Sequence, residues 1–355
     1  MKAVAVENLE PGMTLARTVT GDNFVVILSE NTVLTKQNIE RLQNLDTPVV
    51  YIKDAFDLSK NFQQAAAVVK KDSAFTHDFD RVSKLAYKIF DELNGDAKSA
   101  KETTAKLAAK ILPMADNAAS VNYLFDLSHM NTTLALHSER VAIFSGIIAK
   151  WMGFDWEEIR SIVTSAFLHD AGKKDFHQEM LGKTLQDLEG EQLQDYKRHC
   201  RKGYNILKNA GFEEPIPTIA LTHHEHMNGE GFPKGLSGEK IHPFARVVAV
   251  ADAYDNLTSE REGFVKKTPF DAINFFIKEI YSSFDPAVCV PLLTRIKDSL
   301  IGSTVTLSNG QKGHIAFYPK DFSSLPVVVT EDGQEVNMNL KKDFSILHYS
   351  TSRDE

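Results

Sequence analysis

Seven side chains in this sequence have the types and spacing to do chemistry together: His137, His169, Asp170, His199, His223, His224 and Asp252. Each lies in a stretch whose apolar residues recur at helical spacing, and each falls on or beside the apolar face. In 134–151, Leu134, Val141, Phe144, Ile148 and Trp151 form one stripe, and His137 lies on it. In 159–171, Val163, Ala166 and Phe167 lead to Asp170 by steps of three and four, with His169 beside it. Leu193, Tyr196, Gly203 and Leu207 share a face with His199. Ile216, Ile219 and Ala220 lead in the same way to His223 and His224, and Ala245, Val248 and Ala249 lead to Asp252. Five helices are therefore predicted to point imidazoles and carboxylates along the faces that build the core.

Burying an uncompensated imidazole or carboxylate costs several kcal/mol in order of magnitude. One histidine on an apolar face is ordinarily a hydrogen-bonded core residue. Seven such groups on five faces are hard to pair off among themselves, and metal ions resolve the difficulty. Five His with two Asp exceed the ligand set of one tetrahedral zinc, which favours two octahedral-leaning ions sharing a bridging group, iron or manganese before a lone zinc. Cys200 adjoins His199, but a helical step of about 100° turns it away, so it reads as a small buried residue.

The elements that must position these groups form the middle of a 355-residue chain. Residues 1–57 read as a small α+β module: AVAVE, FVVIL and PVVYI are β-branched runs between turn signals, and TKQNIERLQNL (35–45) reads as one short helix. Residues 58–127 read as a helical linker or bundle, with Val82, Leu85, Ile89 and Leu93 at helical spacing and His77 as a solvated residue. Residues 128–300 are the helical region that carries the site. Residues 301–355 return to strands, with Asn309-Gly310 and Asp332-Gly333 as hairpin signals and His314 as a strand surface residue. The fold class expected is mainly α, with a small N-terminal α+β module and a C-terminal β-hairpin appendix.

Composition narrows the function. The apolar fraction is 43%, the charged fraction 25% and the net charge −8, which argues against binding polymeric nucleic acid. Two cysteines exclude a disulfide framework and a zinc ribbon and fit a reducing compartment. The start, MKAVAVENLEPGM, has no long apolar region, and the run from Val141 to Trp151 is too short to span a bilayer. A cytoplasmic protein is expected, and a homodimer is compatible with it.

The motifs themselves carry a resemblance. FLHDAGKK holds His169, Asp170, Gly172 and Lys173 in the H-D-x-G-K arrangement of the HD phosphohydrolase superfamily. HHEHMNGEGFPKGL resembles the segment that names its HD-GYP family, and ARVVAVADAYDNLTS resembles that family's A-R-I-x-x-V-A-D-x-Y-D-A-L-T-S helix. With LHSERVA at 136–142 and KRHCRKGYNIL at 197–207, the resemblance covers roughly residues 128–272. It implies an all-helical, metal-dependent phosphodiesterase core that cleaves cyclic di-GMP to linear pGpG, or on to GMP. The metal ligands it implies are the same seven residues, with Asp170 bridging two divalent ions. Asp170 and Lys173 are then catalytic, with Lys173 on substrate phosphate. Gly231, Phe232, Pro233 and Arg261 complete the substrate-binding set.

Two ions would lower the pKa of a shared water, giving a metal-bridged hydroxide that attacks phosphorus. Lys173 and Arg261 would add positive charge where the transition state gathers negative charge. Phe232 would either stack on guanine or pack under its turn. The chain departs from the family pattern at four places. Phe232 replaces the naming tyrosine, and Asn228 replaces an aspartate before the glycine turn. Thr133 stands where members with a third metal carry a glutamate, which points to two ions. After Glu260, the chain keeps Arg261 but loses or displaces the second basic contact, with Lys266 and Lys267 further on. Two alternatives follow: a catalytically weak nucleotide-binding sensor, or an HD hydrolase acting on another cyclic dinucleotide or a guanosine polyphosphate.

Overall fold

The computed structural model describes residues 2–6, 9–11, 13–15, 19–20, 26–28, 32, 34–43, 49–53, 73–93, 95–116, 133–176, 180–181, 183, 185–260, 266–319, 323–340 and 344–350. The chain divides into two compact units, Met1–Lys70 and Lys71–Glu355. The boundary lies inside the stretch 58–127 that the sequence suggests as a linker.

Among the described residues the first unit holds five short strands, β1 (Lys2–Ala5), β2 (Thr14–Leu15), β3 (Val19–Thr20), β4 (Val26–Leu28) and β5 (Val49–Lys53), and one helix, α1 (Lys36–Gln43). β5 pairs antiparallel with both β1 and β2, and β3 pairs with β4. Ile39 and Leu42 of α1 lie in one small core with Leu15, Leu34 and Val50. The α+β character read from the β-branched runs is the observed one.

The second unit is helical, with one sheet among the described residues. Its helices are α2 (Ser73–Glu92), α3 (Ala97–Asp116), α4 (Leu134–Trp151), α5 (Trp156–Leu168), α6 (Gly190–Lys197), α7 (His199–Asn209), α8 (Ile216–Thr222), α9 (Pro243–Thr258), α10 (Pro269–Glu279) and α11 (Pro286–Leu300). Every residue from Ala135 to Ala149 is buried, so α4 is the axis of the bundle. Around it pack α2, α3, α5, α9 and α11. Helix starts follow local chemistry: Asp155 and Glu158 form a capping box at α5, Thr268 and Asp271 form another at α10, and Pro243 and Pro286 open α9 and α11.

The strands β6 (Thr304–Leu307), β7 (Lys312–Phe317), β8 (Val327–Thr330), β9 (Glu335–Asn337) and β10 (Ile346–Ser350) form an antiparallel sheet in the order β10-β6-β7-β8-β9. The two expected hairpins are present: Asn309-Gly310 joins β6 to β7, and Asp332-Gly333 joins β8 to β9. His314 sits half-buried on β7, and His77 is exposed on α2. Val305, Leu307, Ile315 and Val328 share one buried cluster with Val82, Ile89, Ile143, Phe167 and Ala220. The 58–127 helices and the C-terminal sheet are thus built onto the same core as the site-bearing helices. No helix among the described residues is long and apolar enough to cross a membrane.

Candidate metal centre

The site begins where α5 ends. His169 caps that helix, and Asp170 opens a tight 3-10 turn over Ala171–Lys173. The turn lies directly against α7. A Cβ on Gly172 would stand 2.0 Å from the carbonyl oxygen of His199 and 2.7 Å from the nitrogen of Gly203, so only glycine permits the approach. That contact brings Asp170 alongside His199. His223 caps the C-terminal end of α8, and His224 follows it. His137 comes from the first turn of α4 and Asp252 from α9.

Three imidazoles are oriented by one device. Nδ1 of His169 lies 2.6 Å from the carbonyl of Ala166, Nδ1 of His223 lies 3.0 Å from that of Ala220, and His199 makes the same bond to Tyr196. A carbonyl can only accept, so Nδ1 carries the proton and Nε2 is left as a lone pair aimed inward. His137 is held differently. Its Nδ1 lies 2.8 Å from Oδ2 of Asp255. Asp255 also accepts from Nε and Nη2 of Arg140, at 2.7 and 3.2 Å, and from Ser259 Oγ at 2.9 Å.

The lone pairs converge on Asp170. Nε2 of His199 and of His223 lie 3.3 and 3.5 Å from its Oδ1. Nε2 of His169 and of His137 lie 3.5 and 3.7 Å from its Oδ2. Asp252 Oδ1 lies 3.1 Å from His137 Nε2 and 3.6 Å from His169 Nε2, and accepts from Asn256 at 2.6 Å. His169 Nε2, His224 Nε2 and Asp170 Oδ1 are buried with no hydrogen-bond partner, and Asp170 Oδ2 meets only the ammonium of Lys173. Acceptor atoms facing acceptor atoms in a dry interior repel unless a cation lies between them. The donors form two groups that could each hold an ion: Asp170 with His199, His223 and His224, and Asp170 with His137 and His169. Asp170 belongs to both, so the residues present fit the metal pair expected of them.

The electrostatics agree. Burial pushes His199, His223 and His224 below the ordinary histidine value, which keeps them neutral and able to coordinate. Asp170 and Asp252 are held well below the carboxylate range: burial opposes this, but Lys173 and His169 outweigh it at Asp170, and His137 and His169 at Asp252. Burial also opposes a charge on His137, yet Asp252 and Asp255 raise it to about 9. A cation shared by His137 and Asp252 would take the place of that proton. Cys200 Sγ lies 3.4 Å from His199 Nε2, and burial pushes the thiol up, so it stays protonated.

Lys173 is buried, with Nζ 2.7 Å from Asp170 Oδ2 as an ion pair and donating to Tyr196 Oη at 2.9 Å. Thr133, His137, Asp170, Lys173, Tyr196 and Asn256 line one cleft at this end of the bundle. Thr133 caps α4 by accepting from Leu136, and its hydroxyl meets that of Tyr87 at 2.9 Å.

The glycine turn closes the opposite side of His224. A Cβ on Gly231 would lie 2.3 Å from the nitrogen of His226, so the chain doubles back there only through glycine. Phe232 N donates to His224 O at 3.0 Å, and the Phe232 ring lies 4.7 Å from the His224 ring, tilted by 31°. Lys197 Nζ stands 5.2 Å from the Phe232 ring centroid. Asn228 Oδ1 accepts from Glu230 N at 3.0 Å. Pro233 follows in the same half-buried turn, and Arg261 lies outside the described residues.

Four residues of consequence were not legible as such. Asp255 and Arg140 orient His137, and their only signal is that each falls three residues after an expected ligand, Asp252 and His137. Glu225 is buried under the glycine turn and accepts from Lys234 N and Leu236 N, both at 2.7 Å. Tyr196 reads in sequence as a core residue but lines the cleft.

This is the architecture of an HD domain, and residues 125–288 match the family model described as "HD domain". The cyclic di-GMP phosphodiesterase response regulator RpfG of Xanthomonas campestris is 38% identical over 162 residues, covering 44% of this chain and 42% of that one. The 3'3'-cGAMP-specific phosphodiesterase 3 of Vibrio cholerae is 28% identical over 151 residues, covering 42% of this chain and 32% of that one. The chain thus spans less than half the length of either relative. The solved HDG"Y"P protein Bd1817 of Bdellovibrio bacteriovorus shares the fold, with a TM-score of 0.52 at 19% identity over 84% of this chain and 98% of that one.

Proposed function

We propose that this protein is a metal-dependent phosphodiesterase that hydrolyses cyclic di-GMP to linear pGpG. One observation carries the reading: buried imidazole and carboxylate atoms, several of them without a hydrogen-bond partner, fall into two groups that share Asp170, with Lys173 at the same carboxylate. His137, His169, His199, His223, His224 and Asp252 would hold two divalent ions, iron or manganese, and Asp170 would bridge them. Once bound, the ions supply Lewis-acid activation of water and neutralise phosphate charge.

The chain's own residues do the rest. The carbonyls of Ala166, Tyr196 and Ala220 keep three imidazoles in the ligating tautomer. Lys173 presents an ammonium to the phosphoryl oxygens, where negative charge develops. Phe232 covers His224 and limits water access from the turn side, while Gly231 and Pro233 shape that wall. Arg261 is a second phosphate contact on the basis of sequence alone. Two buried free thiols, Cys200 and Cys289, suit a reducing cytoplasm.

The test is elemental analysis after anaerobic purification, followed by separation of cyclic di-GMP reaction products. The expected result is about two iron or manganese per chain, pGpG as first product, and loss of turnover in Asp170→Ala. Tight binding of the dinucleotide without product over hours would favour a sensor. The Vibrio relative's name motivates a second substrate, 3'3'-cGAMP, and preferential turnover of it would replace cyclic di-GMP in this reading.

A further inference from the structure

Tyr196 lies in the last turn of α6, one turn before His199, and serves the centre twice. Its carbonyl orients His199, and its side chain lines the cleft with Asp170 and Lys173. The ring is held edge-on to His199, with centroids 5.2 Å apart at 71°, and tilted against Phe176 at 6.1 Å. The phenol oxygen accepts from Lys173 Nζ at 2.9 Å, and that nitrogen stands 4.7 Å from the ring centroid. One N–H of Lys173 therefore points at Tyr196 and another at Asp170.

The phenol's own proton has no acceptor among the described residues. A phenol is protonated at neutral pH, so this is a buried donor without a partner beside an ammonium that can spare a third N–H. An unmet buried donor costs roughly 1–3 kcal/mol. Phenylalanine would fill the same space and make the same ring contacts without that cost. Two adjacent donors of this kind, in a chain of net charge −8, are suited to an anion with several acceptor oxygens.

We propose that Tyr196 donates its phenolic hydrogen bond to the substrate's phosphoryl group, forming a two-donor clamp with Lys173. The inference rests on the phosphodiesterase reading above and adds to it a substrate contact outside the sequence-derived set.

Tyr196→Phe tests it on the full chain. Metal content should match the parent, and the thermal midpoint should not fall below the parent's and should rise if the unmet donor is costly. The kcat for cyclic di-GMP should fall about 10- to 100-fold with KM changed less than about threefold, as for a donor aimed at transition-state charge. Affinity for inorganic phosphate should weaken about fivefold. In a Lys173→Met background the same substitution should still weaken phosphate binding severalfold. A cost that vanishes there would make Tyr196 a support for Lys173 only, and would overturn the proposal. So would unchanged kcat with unchanged phosphate affinity, and so would loss of metal from Y196F. If the metal-loaded parent turns over no cyclic dinucleotide, the functional reading fails, and the phosphate comparison alone decides the role of Tyr196.

Discussion

Asp170 is the one residue common to both groups that could hold an ion. Removing it should therefore behave differently from removing a ligand that serves one group. Asp170→Ala is expected to reduce bound metal from about two per chain to near zero, whereas His224→Ala should retain about one, because His137, His169 and Asp170 remain together. Elemental analysis of anaerobically purified variants, with circular dichroism as a check on folding, separates the two. Equal losses in both variants would mean that the groups do not bind independently. The convergence of the seven expected ligands was legible because helical periodicity marks which face a residue occupies, and a polar residue on a core face is conspicuous. Asp255, Arg140, Glu225 and Tyr196 were not, because their roles depend on which side chain stands opposite in space. His137 and Asp255 are 118 positions apart and meet at 2.8 Å. No local spacing encodes that pairing.

At the scale of elements, the centre depends on how closely the Ala171–Lys173 turn lies on α7, and on how α2 meets α4. Gly172→Ala would drive a methyl group into the His199 carbonyl, while the equivalent change at Gly203 meets its nearest atom at 3.1 Å. The first is expected to cost about 1–3 kcal/mol or more and to lower metal content, the second appreciably less. Urea denaturation and elemental analysis of both variants check the order. The contact of α2 with α4 contains a buried carboxyl: Glu139 accepts from Ser83 Oγ at 2.6 Å, and its other oxygen has no partner. Burial raises Glu139 to about 8 from 4.5, more than Ser83 and Arg140 lower it. With the folded value above the unfolded one, its contribution is fully present below about pH 4.5 and is lost as pH rises through 8. Glu139→Gln should then match the parent near pH 4.5 and exceed it by a few kcal/mol, in order of magnitude, at pH 8 and above. Urea midpoints of both proteins in chelator, across that range, report the difference, and a constant offset at all pH values would refute it. The helices and hairpins that set these contacts were legible from period and turn residues. The packing of the 3-10 turn was not, since a glycine in H-D-x-G-K does not name the backbone it must approach.

For the whole molecule, the sequence suggests a linker, a helical domain and an appendix, whereas the structure joins the linker from residue 71 onward, the helical domain and the appendix in Lys71–Glu355. Period and turn signals identify each segment but are silent on which apolar faces meet, so hairpins read as an appendix when their inner face belongs to a larger core. Leu307 of β6, fully buried, lies in the same cluster as Ile143 of α4 and Phe167 of α5. That arrangement makes a prediction which a detached β module would not share. Both tryptophans of the chain, Trp151 and Trp156, lie on α4 and α5, so their fluorescence reports the helices and not the sheet. Leu307→Ala removes a buried side chain from the sheet and is expected to cost about 2–5 kcal/mol. If helices and sheet unfold as one unit, the tryptophan transition in urea should shift by the whole of that cost, in step with far-ultraviolet circular dichroism. If the sheet is an independent appendix, the tryptophan midpoint should stay where it is in the parent protein. The same coupling would let strain in the sheet reach α4, which carries His137, so metal affinity measured alongside in Leu307→Ala should weaken in parallel with stability.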